Sequence, residues 1–271
     1  MKAPSLWSRR AIAALLGCLV AGQSAAALAG DFSVTPIRIF LDKDRKADVV
    51  TVRNNGTVPL QFEIRPKAWT QDASGEDVYS DTADLLAFPR LMTLKGGEER
   101  DIRIGIKIPP AATEKTYRVY ITELPPTNRA DETGGSAANV GLLINFGAPV
   151  FFAPFNPAPA LDLARFDLTD GRINATLVNS GNIRLFVEEM TVIGFDASGA
   201  EIYRESIPER YLLAGTTKSY TRDIPERECQ ALAVVSYSVR TDKLSANAKK
   251  DVDKNSCGST KPDTPAANNA R

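Results

Sequence analysis

The chain of 271 residues contains no histidine. That absence excludes Ser-His-Asp and Cys-His nucleophilic catalysis, and with them every histidine-ligated zinc site. Hydrolysis by carboxylates alone, or by a lysine base, survives the exclusion, but no nucleophile motif accompanies either. Cysteine is almost as scarce: Cys18, Cys229 and Cys257 are the whole complement, and no C-x-x-C pair occurs. No apolar run approaches the roughly 20 residues a membrane-spanning helix needs. Excess charge of either sign is also missing, with 33 basic and 33 acidic residues. A nucleic-acid binder needs a concentrated basic face, so no nucleic-acid partner is expected. Nor do these residues imply a cofactor, a metal or a small-molecule substrate.

The first 29 residues read as a cleavable secretory signal. Lys2, Arg9 and Arg10 precede an apolar stretch over 11–20, and Ala27-Leu28-Ala29 supplies an A-x-A cleavage site before Gly30. Leu15-Leu16-Gly17-Cys18 loosely matches a lipoprotein box and Ser8-Arg9-Arg10 a twin-arginine signal, but the A-x-A site is the better placed ending. Cleavage would remove three of the 33 basic residues, leaving 30 against 33 acidic ones, and would leave Cys229 and Cys257 as the remaining thiols. In an oxidising compartment one disulfide between them is the simplest expectation.

From Gly30 onward short alternating runs dominate. Candidate strands cover 32–40, 47–54, 60–69, 99–108, 117–124 and 140–152, spaced by turns such as Asn55-Gly56 and Lys95-Gly96-Gly97. No helical period emerges, so this stretch reads as an all-β sandwich. Phe155-Asn156-Pro157-Ala158-Pro159 reads as a stiff linker. Strand signals restart over 161–168, 171–179, 185–196, 201–207, 216–224 and 231–239, a second and shorter β-domain. The expected boundaries are therefore signal 1–29, first domain 30–155, second domain 156–257, and a disordered polar tail 258–271.

Two local signals have plainer readings than their motifs suggest. The alternating acids of Asp42-Lys43-Asp44-Arg45-Lys46 hint at a calcium loop, but Arg45 and Lys46 stand where further acidic ligands would be needed, which leaves a solvated turn. The sequons at Asn55 and Asn174 matter only in a eukaryotic secretory context.

Several first-domain segments, in this order and spacing, resemble the PapD-like periplasmic chaperones of the chaperone–usher pilus pathway. They are Thr35-Pro36-Ile37-Arg38-Ile39-Phe40, Val50-Thr51-Val52-Arg53-Asn54-Asn55, Pro89-Arg90-Leu91 through Ile102-Arg103-Ile104, Tyr117-Arg118-Val119 to Pro125-Pro126, and Val150-Phe151-Phe152-Ala153-Pro154. The resemblance spans about residues 32–155, and reaches the second domain only in its size and β character. It implies two immunoglobulin-like β-sandwich domains in a boomerang arrangement. It also implies partners: pilus subunits with an incomplete immunoglobulin fold, and an outer-membrane usher that receives them. Tyr-Arg at 117–118 resembles the archaic or alternative branch of the family.

In that family an edge strand of the chaperone fills the groove left by the subunit's missing strand, a form of β-augmentation. Val140, Leu142, Ile144 and Phe146 fall on alternate positions, hence on one face of a strand, and the first three land on the family's donor positions. Periodicity alone favours an ordinary strand facing its own core, and only the family register reverses that preference. The family also anchors the subunit's C-terminal carboxylate on a basic pair. Arg38 matches its arginine, but the expected lysine falls at Pro149, so Arg118 is the candidate replacement, placed near Gly147 by a hairpin between 117–124 and 140–152. Arg103 and Lys107 are weaker options, and Ala153 stands where the family has a terminal arginine.

The expected function is accordingly a non-enzymatic periplasmic chaperone. The alternative is a secreted immunoglobulin-like adhesin or surface-binding module of the same fold, which would bury Val140, Leu142, Ile144 and Phe146 in its own core.

Overall fold

The computed structural model describes residues 31–125, 143–209 and 211–257. It holds two β-sandwiches in sequence. In the first, one sheet has the order β1 (Phe32–Thr35), β3 (Ala47–Asn54), β8 (Glu99–Ile106), β6 (Leu85–Phe88). The facing sheet runs β2 (Ile39–Leu41), β10 (Asn145–Phe152), β9 (Lys115–Leu124), β4 (Leu60–Gln71), β5 (Asp77–Asp81), with β7 (Leu91–Leu94) also paired to β4. Strand periodicity of two sends alternate side chains inward. Val50 and Val52, Phe62 and Ile64, Ile102 and Ile104, and Val119 and Ile121 therefore meet in one core.

The second sandwich repeats the plan on a smaller scale. Strands β11 (Asp162–Thr169), β12 (Arg172–Val178) and β16 (Thr217–Asp223) form one sheet. The other runs β14 (Glu201–Ser206), β13 (Leu185–Phe195), β17 (Val234–Thr241), β18 (Ser245–Asp251), with β15 (Tyr211–Leu212) paired to β13. A six-residue helix, α1 (Glu226–Ala231), carries Cys229, whose sulfur is joined to that of Cys257 at 2.06 Å.

Matching turn chemistry supports the repetition. Asn54 is buried and donates from Nδ2 to the carbonyls of Val58 and Leu94, while its Oδ1 accepts from Gly56 N–H. Asn179 makes the same three bonds, to Ile183, Leu212 and Gly181. A buried amide side chain survives only when satisfied in this way. The hairpins β4–β5 and β13–β14 both turn on Asp-Ala-Ser-Gly, at 72–75 and 196–199, with the aspartate accepting backbone N–H bonds and the glycine at positive φ (82° and 83°).

Several features differ from the sequence expectation. The N-terminal run 32–40 is two strands in opposite sheets, because Pro36 has no N–H to continue the ladder and the chain crosses at a cis Thr35–Pro36 bond. Residues 77–81, expected as polar loop, form strand β5, in which none of the five residues is buried. Helix α1 and strand β18 lie where no element was read. The run 42–46 is a solvated turn, with Asp42 accepting the N–H groups of Asp44 and Arg45.

The sandwiches meet over an aromatic contact. Trp69 and Phe151 from the first pack on Tyr211 and Leu213 from the second, with Phe186 beside them. Gln71 spans the junction, donating to the Tyr211 carbonyl and accepting from Leu213 N–H, each at 2.9 Å. Asn182 ties the linker to the first sandwich by donating to the carbonyls of Ala112 and Asn156. Next to it the Glu114 carboxylate is buried, with its side chain 1% exposed. It accepts from both the backbone N–H and the guanidinium of Arg184.

Candidate functional site

Strand β10 is covered unevenly. On one side β9 pairs with it along its whole length, from Asn145↔Thr122 to Phe152↔Lys115. On the other side β2 is parallel and reaches only Val150, Phe151 and Phe152. Among the described residues, 145–149 therefore have a single strand neighbour. Ile144 accepts a backbone bond from Glu123 N–H at 2.9 Å, so residue 144 faces β9. Antiparallel alternation then turns the N–H and C=O of Asn145 and Gly147 toward the open side.

Arg118 closes the end of that open edge. Its Cα lies opposite Pro149, two residues further along than the sequence register placed it. Its guanidinium nonetheless reaches Gly147, where Nη1 donates to the carbonyl at 3.1 Å. A Cβ at Gly147 would crowd the Tyr120 ring, at 3.1 Å, and make only an ordinary contact with Arg118 Cδ, at 3.7 Å. The guanidinium stacks 4.2 Å from the Trp69 ring centroid and 6.0 Å from that of Tyr211, an arrangement favourable for a cation over a π face.

Arg38 sits one residue before Ile39, which pairs with Val150, so it stands at the level of Pro149 on the far side of β10. Its guanidinium lies 4.4 Å over Phe186, and Phe186 packs edge-on against Tyr211, which packs edge-on against Trp69. The two arginines thus flank Pro149 in register and rest on opposite ends of one aromatic cluster. Arg118 borders a cleft of about 390 Å³ between the sandwiches, which Trp69, Asp77, Tyr211 and Lys218 also line. Among the described residues, neither Trp69 Nε1 nor Arg118 Nε, both buried, has a hydrogen-bond partner. Two orphan donors beside a cation suit an anionic acceptor such as a carboxylate.

Of the candidate donor residues, Val140 and Leu142 lie outside the described residues. Ile144 is half-buried at the start of β10, and Phe146 is half-buried against the core of the first sandwich. Phe146 has the inward parity of Ala148, Val150 and Phe152, which are buried in that core. Arg103 faces outward on β8, in the opposite sheet from β10, and Lys107 follows at the end of the same strand. Asp77, on a strand the sequence reading missed, is the acidic neighbour of Arg118, 4.0 Å from its Nη2. Only its exposed, unalternating surroundings marked that stretch, and these carry no strand signal.

Residues 31–157 match the family model described as pili and flagellar-assembly chaperone, PapD N-terminal domain. No curated protein sequence matches the chain. Among solved structures, a chain of the CsuC–CsuE chaperone–tip adhesion subunit pre-assembly complex of Acinetobacter baumannii archaic Csu pili is 18% identical, with a TM-score of 0.57 over 81% of this chain and 97% of that one. The complex of the Salmonella enterica SafA pilin with the SafB chaperone gives 16% identity and a TM-score of 0.53 over 81% and 96%. The YadV chaperone gives 14% and 0.54 over 82% and 99%. At these identities the structural likeness establishes the two-sandwich fold. The family model places residues 31–157 in the PapD N-terminal domain family, and the structural likeness extends the two-sandwich fold over about four-fifths of the chain.

Proposed function

We propose that this chain is a periplasmic chaperone that captures pilus subunits by donor-strand complementation and passes them to an outer-membrane usher, without catalysis. One observation carries the reading: an open strand edge at Asn145 and Gly147 ends at a guanidinium. A subunit strand pairing along that edge would satisfy the open N–H and C=O of Asn145 and the open N–H of Gly147, and would share the Gly147 carbonyl with Arg118 or displace it there. It would run out at Pro149, which offers no N–H, with its terminal carboxylate at Arg118 and Arg38. Val140, Leu142 and Ile144 are the side chains proposed to enter the subunit's groove; Phe146 anchors the strand to its own sandwich. The fold neighbours are themselves described as a chaperone with a tip adhesion subunit and a chaperone with a pilin, which is consistent with this partner class. Tyr117-Arg118 favours the archaic branch, in which Arg118 takes the role of the lysine replaced by Pro149.

The test is affinity purification of the tagged chain from the periplasm of its host, with mass spectrometry of what accompanies it. A β-rich exported subunit at a one-to-one ratio, lost in Leu142→Glu/Ile144→Glu while the variant stays folded, is the expected result. A partner indifferent to both substitutions would favour the adhesin-like reading.

A further inference from the structure

We infer that Asp77 is a built-in competitor for the carboxylate anchor, an internal counter-ion that Arg118 must give up, in part, when a subunit terminus arrives. The inference rests on Arg118 being that anchor. Nη1 is committed to the Gly147 carbonyl and Nε is buried, so an arriving carboxylate would meet the guanidinium at Nη2. There Nη2 has Asp77 Oδ2 at 4.0 Å, too long for a hydrogen bond but close for two charges.

Asp77 is held in place independently of Arg118. Its Oδ1 accepts from Gln71 Nε2 at 3.1 Å and its Oδ2 from the Tyr79 hydroxyl at 2.9 Å. Gln71 is itself fixed by its bonds to Tyr211 and Leu213 of the second sandwich. The Asp77 carboxylate therefore cannot swing aside without breaking these bonds, and a second carboxylate at Arg118 enters against its charge. The neighbouring lysine offers little relief, because Lys218 is engaged with Glu209 at 2.9 Å and lies 4.0 Å from Glu76. Asp77 thereby sets the selectivity of the cleft: weak or misplaced anions are turned away, while a terminus already held by strand pairing is admitted.

The cleft contains its own reporter. The chain has two tryptophans, Trp7 in the expected signal segment and Trp69, so the chain lacking that segment, or carrying Trp7→Phe, has one indole, against which Arg118 stacks. In that background N-acetylglycine is titrated against Trp69 fluorescence, with N-acetylglycinamide as the uncharged control. Asp77→Asn, which keeps the side-chain shape and an acceptor oxygen, is expected to lower the Kd for N-acetylglycine by roughly two- to fivefold, because Asp77 is 36% exposed and its charge is partly screened. The gain should shrink as salt rises. An unchanged or higher Kd, with the amide silent and binding lost in Arg118→Gln, would overturn the inference alone. Equal response to the amide, or binding that persists in Arg118→Gln, would overturn the anchor reading and the inference with it.

Discussion

Arg118 stands across the β9–β10 pair from Pro149 and reaches past it to the carbonyl of Gly147, 3.1 Å away. Where the family resemblance expects a lysine, the chain has a residue that can neither bind an anion nor extend a ladder. A guanidinium reaches that point from the next strand, braced on Trp69. Arg38 approaches the same level from the residue just before β2. Removing Arg118 should therefore weaken subunit capture far more than it disturbs the fold. For Arg118→Ala we expect a loss of roughly thirtyfold or more, the scale for truncating one partner of a desolvated charge pair. Arg118→Lys should recover little, since an ammonium lacks the planar fork and stacks less well. Arg38→Ala should weaken capture as well, and binding titrations with the purified subunit check all three.

Phe146 and its neighbours toward the N-terminus share one strand parity but should behave differently. Phe146 packs on the core of its own sandwich, so Phe146→Ala should lower stability by about 1–3 kcal/mol, less than the cost of truncating a fully buried phenylalanine. Leu142→Glu/Ile144→Glu should leave the unfolding midpoint almost unchanged and abolish capture. Denaturant unfolding and subunit binding, measured on the same variants, separate the two roles.

The Glu114–Arg184 pair joins the sandwiches, with the two side chains 1% and 12% exposed. Burial pushes the Glu114 carboxyl above its ordinary 4.5, against the opposing pull of Arg184 and, more weakly, Lys243. A carboxyl raised on folding contributes most when protonated, and that contribution is lost as pH rises through its folded value. Glu114→Gln should remove this pH dependence. Since the native chain loses that contribution and Glu114→Gln does not, the cost of the substitution should be smaller at pH 8 than at pH 5. Glu114→Gln/Arg184→Met should restore a large part of the loss. Chemical denaturation of the four combinations at pH 5 and pH 8 provides the cycle.

The two Asp-Ala-Ser-Gly hairpins should contribute to the acid limb of stability. Bonds from Ser74 and Glu76 hold the Asp72 carboxyl below its ordinary 3.8, and bonds from Ser198 and Ala200 do the same for Asp196. A carboxyl lowered on folding stabilises above its ordinary value, and the contribution is lost as pH falls through the folded one. Thermal unfolding followed from about pH 5 to about pH 2 should therefore fall less steeply in Asp72→Asn/Asp196→Asn than in the native chain.

Much of this fold could be read along the chain because its strands alternate. Residues 47–54 were read to the residue, and β4, β8, β9, β12 and β13 to within a few positions at each end, since one face of each is apolar. Strand β5 was hidden because all five of its residues are exposed; the turn and the ladder to β4 hold it, not a buried face. Helix α1 is too short to show a period, and its one buried residue is Cys229. The site was legible in part. Arg38 and Arg118 followed from motif positions and an approximate hairpin register. Asp77, Trp69 and Tyr211 meet only through pairings between distant segments, such as Gln71 with residues 211 and 213, which periodicity cannot report.

The most direct test of strand addition is amide hydrogen exchange at Asn145 and Gly147 in the chain alone and in its complex with a captured subunit. These amides face the open side of β10, and an added strand would take up their hydrogens. Slowed exchange at both in the complex, with Ala148 protected in either state by β9, is the predicted result. A complex in which Asn145 and Gly147 exchange as fast as in the chain alone would mean that the subunit is held somewhere other than this edge.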